Sequence, residues 1–244
     1  LWLCASVLFA VLGIIFAAHI IDINTTSSLG INPWKRLAMA GRGIFVIFML
    51  IPFIALLVSA AVYIEQQSNA WKYQYTIPKR RSVPFYSKLI ALQLCILLTM
   101  FALCIGLLIS GYVLAFFLPE LEFYYFTPPF LDFPKTLWHA YLGGMGILGI
   151  QYFLSFRFKG FLIPATLGII GFVISFIMST MNTPLAIYVP YCYPAIVQDY
   201  DMFLTDKAGM VDYGWINNVE IYSLCCFAFF VLLGHLIEVK KNVV

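Results

Sequence analysis

The chain has 244 residues, of which 63% are hydrophobic and 10% charged, with a formal net charge of +3. Soluble domains carry about 45–50% apolar and about 25% charged residues, so this chain has too little polar surface to cover a water-soluble globule. Disorder is excluded by the same figures, because apolar residues rather than net charge dominate.

Apolar runs lie at about 1–20, 43–64, 89–118, 137–156, 161–181 and 221–237, and about 20 apolar residues suffice to cross a bilayer as a helix. A helix satisfies its own backbone polar groups in lipid, and the alternating ten-residue segments of a membrane barrel are missing from the sequence. The expected fold is all-α: a single polytopic domain over 1–244 with six transmembrane helices. Leu1 already lies within an apolar run, so a cytoplasmic segment ahead of the first span is expected to be missing.

Ahead of the second run, Pro33 is expected to start a short helix, with Lys35, Arg36 and Arg42 snorkelling at the interface beside Trp34. In the third and fourth runs Gln93 and Gln151 read as interhelical hydrogen-bonding groups, and Gly143, Gly144, Gly146 and Gly149 as a surface for close helix contact. The long connection at about 182–219 is too apolar for a free linker and is expected to fold over the outer ends of the helices. Tyr188, Tyr191 and Tyr193 there read as interfacial aromatics.

The charges between runs sort in alternation. One set of connections holds Lys72, Lys79, Arg80, Arg81, Lys88, Arg157, Lys159, Lys240 and Lys241 against Glu65 and Glu238. The other set, with Glu120, Glu122, Asp132, Asp199, Glu220 and further acids, is dominated by carboxylates. Basic connections stay in the cytoplasm, which puts both termini and the connections after spans two and four on that side.

Catalytic chemistry is hard to find. The phosphate-cradling pattern GxxxxGK[ST] does not occur, so any ATP and Mg²⁺ would be bound by a partner. His19 and His139 fall near the outer face and His235 in the last span, too scattered for metal ligation. Five of the six cysteines lie in apolar runs, Cys192 being the exception, and none pairs in a metal-binding spacing. Asp199, Asp201, Asp206 and Asp212 fit no calcium loop. The spans are nearly free of Asp, Glu, Lys and Arg, which argues against ion-coupled transport.

The segment Glu65 to Lys88, EQQSNAWKYQYTIPKRRSVPFYSK, carries most information. Residues 65–75 can form a short amphipathic helix at the membrane face, presenting aromatics to a cytoplasmic partner. Pro78 and Pro84 divide the rest into short elements. The pattern of Glu65, Trp71-Lys72-Tyr73, Thr76-Ile77-Pro78, Arg80 or Arg81 and Lys88 resembles the signature between spans two and three of ABC-2 type permeases. It is most similar to the lantibiotic-immunity branch of the MutE/EpiE type, as are Asn32-Pro33-Trp34 and Leu50-Ile51-Pro52-Phe53. Lys79 departs from the small or polar residue that branch usually carries after the proline.

The resemblance implies a permease subunit of an ATP-binding cassette exporter in a bacterial inner membrane, without an ATPase site of its own. It implies a coupling helix between helices two and three that seats in a cytoplasmic ATPase subunit. Glu65, Trp71, Lys72, Tyr75, Pro78, Arg80 and Arg81 would contact or anchor that subunit. A second permease chain, as homodimer or similar heteromer, and membrane lipid are the other implied partners; nucleic acid is not. The cargo would be an amphipathic or hydrophobic molecule, such as an antimicrobial peptide or a lipid. The competing readings are a membrane-embedded enzyme and a non-transporting membrane anchor.

Overall fold

The structure is a computed structural model that describes residues 13, 33, 34, 37, 44–67, 82–117, 119, 123–128, 132–158, 160–181, 183–197 and 216–240. Among the described residues the regular elements are all helical: α1 (Ile51–Gln67), α2 (Ser82–Phe117), α3 (Asp132–Arg157), α4 (Leu162–Thr180) and α5 (Asn218–Lys240). A π-helical stretch, Ile44–Leu50, leads into α1.

Prolines mark the starts of three helices. Pro84, Pro134 and Pro164 each fall within the first three residues of α2 to α4, whereas Pro52 follows the π-helical stretch without a break. The first-turn N–H groups lack an intrahelical acceptor, so a proline loses nothing there and its fixed φ favours the helix. Pro84 therefore opens α2 instead of interrupting it. The helix begins seven residues ahead of the expected 89 and runs for 36 residues. At 1.5 Å per residue that is about 54 Å, well beyond the roughly 30 Å hydrocarbon core.

Contacts between the helices set their directions. Near the end of α1, Tyr63 packs on Phe161 at the start of α4, Glu65 meets Lys88 near the start of α2, and Gln66 meets Ser155 near the end of α3. His235, toward the end of α5, lies against Phe85 of α2. At the other end Phe48 faces Phe176, and His139 meets Glu220. The five helices thus alternate up and down, and loop 68–81 leaves from the end that carries Glu65 and Lys88.

Among the described residues four helices are long and apolar enough to cross a membrane: Phe48–Gln67, Ser82–Phe117, Leu162–Thr180 and Asn218–Ile237. The expected run at 137–156 forms α3, long enough at 26 residues but less apolar. Its position explains the difference. α3 touches the other four helices, most extensively α5 and then α1. A helix enclosed by protein needs small and hydrogen-bonding groups more than a greasy surface. The first expected span, 1–20, lies outside the described residues apart from Gly13.

The glycines of α3 are what let its neighbours close in. A Cβ at Gly149 would sit 2.9 Å from the Phe227 Cα, and one at Gly146 3.2 Å from Ser223 Oγ, both on α5. Gly144 faces Ile54 of α1 in the same way. Helix packing is thus the role of this glycine series.

Trp34, beside the cations expected to snorkel at the interface, does not itself face lipid. It is almost fully buried, with its ring against Gly111 and Phe123 and its indole N–H donating to the Phe123 carbonyl at 3.2 Å. An indole buries large apolar area provided its N–H finds an acceptor. Pro33 is helical as expected; Lys35 and Arg36 lie outside the described residues.

Nor does the described part of the long connection, 183–197, merely cover the helix ends. Two 3₁₀ turns, Pro184–Tyr188 and Pro190–Cys192, bring the chain back among α3, α4 and α5. The Tyr191 ring packs against Gly171, halfway along α4, and Tyr193-Pro194 against Gly143 of α3. Tyr188 stays exposed, but Cys192 and Tyr193 are buried. Irregular backbone at this depth is tolerated because protein encloses it.

Candidate functional site

Loop 68–81 is the segment to which the sequence directs attention, and the structure describes its two stems. Helix α1 continues through Gln67, so Glu65 lies in its last turn instead of opening a separate amphipathic helix. Glu65 Oε2 is 2.5 Å from Lys88 Nζ, and both side chains are largely withdrawn from solvent. The Lys88 ammonium also sits over the Phe156 ring of α3, 5.2 Å from its centroid, in the range of a cation–π attraction.

Two further bonds brace the same end. Gln66 Nε2 donates to the Ser155 carbonyl at 3.4 Å, and the Tyr152 hydroxyl donates to the Phe85 carbonyl at 2.6 Å. Phe85 is a hub of this corner, with ring contacts to Tyr86, Tyr152, Phe156 and His235. His235 is therefore an aromatic packing partner here, and its buried Nδ1 has no hydrogen-bond partner among the described residues.

Of the residues expected to contact a partner, Glu65 is described and is engaged with Lys88. Trp71, Lys72, Tyr75, Pro78, Arg80 and Arg81 lie outside the described residues. Asp199, Asp201, Asp206 and Asp212 do as well. Among the described residues no three of His, Cys, Asp and Glu gather as a metal site would require.

Polar groups inside the bundle serve packing. Gln151, fully buried, reaches across to α4. With its amide nitrogen toward the Pro164 carbonyl (3.1 Å), its oxygen accepts from the Gly168 N–H (3.2 Å) and the Tyr191 hydroxyl (2.9 Å). This orientation gives both amide ends complementary partners, as burial demands. Among the described residues Gln93 Nε2 donates to the Met145 sulfur at 4.0 Å.

The pair that sequence reading missed is His139 and Glu220. His139 Nδ1 lies 2.6 Å from Glu220 Oε1, and both side chains are buried. The second carboxylate oxygen accepts from the Asn217 N–H at 2.7 Å. Asn217 precedes α5 and Glu220 follows three residues later, a capping-box arrangement. The spacing Asn-x-x-Glu before an apolar run was the available signal; its second partner, 81 residues away, had none.

A bundle of apolar helices, enclosing a polar-seamed central helix, is the framework of a multi-pass membrane protein. The chain belongs to the ABC-2 family of transporters: the family described as "ABC-2 family transporter protein" matches residues 2–176. That makes it a membrane permease of the ABC transporter class, a context in which an ATPase partner drives the membrane part. The match takes in loop 68–81 and α1 to most of α4. No curated protein and no solved structure gives a significant match.

Proposed function

We propose that this chain is the membrane subunit of an ATP-driven exporter. It has six spans, with both termini and loop 68–81 on the cytoplasmic side of a bacterial inner membrane. A separate ATPase subunit binds ATP and Mg²⁺ and seats loop 68–81, with Trp71, Lys72, Tyr75, Pro78, Arg80 and Arg81 facing it. Large aromatics suit such a contact because they bury area at low rotameric cost. The observation that carries this reading is the family match over residues 2–176, which includes the basic, aromatic loop and both helices that Glu65 and Lys88 tie together.

Two such chains, identical or similar, flank the transport path. The apolar seam lined by Leu50, Ile54, Ile96, Tyr141, Gly144, Met145 and Leu148 inside one chain has no room for a water-sized body, which favours a path between chains. The cargo is an amphipathic peptide or lipid, in keeping with spans that present long apolar faces on α2 and α4. A lantibiotic-type peptide is the specific cargo that the resemblance in the loop favours.

The test is recovery of an ATPase on the tagged chain purified in mild detergent. Wild type is expected to bring an ATPase with it. Trp71→Ala combined with Tyr75→Ala is expected to weaken that association at least about tenfold, the scale of aromatic anchor residues. A wild-type chain that recovers no ATPase, or a double variant that recovers as much as wild type, overturns the reading and leaves an anchor subunit in its place.

A further inference from the structure

We propose that Lys88 is a positioning residue that joins the two stems of loop 68–81 into one rigid lever seated on α3. The proposal rests on the permease reading above and concerns how force entering the loop reaches the spans.

The loop leaves α1 after Gln67 and enters α2 at Ser82. These two helices touch each other far less than α1 touches α3 or α4. Each stem is braced on α3 separately, so a direct tie between them decides whether they move as one. The tie is the Lys88 ammonium. It is 2.5 Å from the Glu65 carboxylate of α1 and 5.2 Å from the Phe156 ring centroid of α3, while its own backbone belongs to α2. One charged group thus touches three helices.

The neighbouring bonds do less. Gln66 to the Ser155 carbonyl braces α1 on α3, and Tyr152 to the Phe85 carbonyl braces α2 on α3; neither links the two stems. Burial strengthens the argument. Glu65 and Lys88 side chains are 16% and 24% exposed, so this is not a solvent-screened surface pair of little worth. α2 is also unbroken between Ser82 and Lys88, so the residue that receives the loop and the residue that clamps it belong to one rod. A displacement of the loop then moves α1 and α2 together about α3.

The experiment uses the full chain with its co-purified ATPase. Lys88→Met is expected to leave the amount of ATPase recovered within about twofold of wild type. It is expected to lower the permease-dependent ATP turnover about tenfold, the scale of coupling between contacting charges. Lys88→Arg, and the exchanged pair Glu65→Lys with Lys88→Glu, are expected to regain most of the turnover, which a loss of folding would not allow. In parallel, spin labels carried by non-canonical residues at the exposed positions Ile64 and Val83 report the distance between the stems in the permease alone. Wild type and the exchanged pair should give one narrow distance, and Lys88→Met a broadened one. An unchanged turnover or an equally narrow distance in Lys88→Met overturns the proposal, as does failure of both Lys88→Arg and the exchanged pair to regain turnover. If the wild-type chain recovers no ATPase, the permease reading fails, while the label distances still decide whether Lys88 is the clamp.

Discussion

At the scale of single residues, the most consequential side chain is Glu220. One carboxylate holds the first turn of α5 through the Asn217 N–H and holds α3 through His139 Nδ1. Both partners are buried, so neither can turn to water if the other is removed. His139→Ala is expected to lower the stability of the detergent-solubilised chain by about 3 kcal/mol, the usual cost of stripping a buried charge of its partner. Glu220→Gln should cost less, because an amide keeps one of the two contacts. Thermal unfolding of the single and double variants checks this, and the double loss should be well below the sum of the singles. Half of the arrangement was legible in the chain, since Asn217-x-x-Glu220 has the spacing of a helix cap. The histidine was not, because contact across 81 residues leaves no local trace.

At the scale of elements, the distribution of polarity among the helices follows from who surrounds whom. α4 shows bulky aliphatic residues such as Ile170 and Ile174 on its exposed face, as a lipid-facing helix should. α3 instead buries Gln151, Ser155 and four glycines among its neighbours. Its glycine spacing was legible as a packing surface; which helix would fill it was not. The contact with α5 is close enough that Gly149→Ala is expected to destabilise the bundle. The added Cβ would meet the Phe227 backbone at 2.9 Å, and backbone cannot rotate out of the way. A cost of about 1–3 kcal/mol is expected for such overpacking, read as a lower unfolding midpoint in detergent. Gly160 is no control, because its φ of 145° disfavours any β-carbon; Gly13 is the better one, since nothing among the described residues lies within 4 Å of its Cβ position.

For the whole molecule, alternating helix direction puts Glu65, Lys88 and Arg157 at one end of the bundle and His139 with Glu220 at the other. If the basic end is cytoplasmic, a reporter that fluoresces only in the cytoplasm should be bright when fused behind α5 and dark when inserted at 127–128. A bright insertion at 127–128 would invert the proposed orientation. The return of residues 183–197 into the bundle also belongs to this scale. Tyr191 fits there because Gly171 of α4 has no side chain and Gln151 of α3 accepts its hydroxyl, three elements far apart in sequence meeting at one point.

The sequence by itself determined that this is a helical membrane protein, roughly where four of its long apolar helices lie, and which connections are basic. Those features depend on local composition: apolar length is read against bilayer thickness, and loop charge against the membrane's two sides. It also marked Glu65 and Lys88 as the ends of one informative stretch. Only the tertiary structure decided that these two residues grip each other over Phe156, that Trp34 is buried and Tyr191 packs between α3 and α4, and that α3 is the enclosed helix. The physical reason is the same in each case. An aromatic or charged side chain near a membrane boundary suits lipid headgroups and protein interior equally well, and the choice depends on neighbours that folding, not proximity in sequence, supplies.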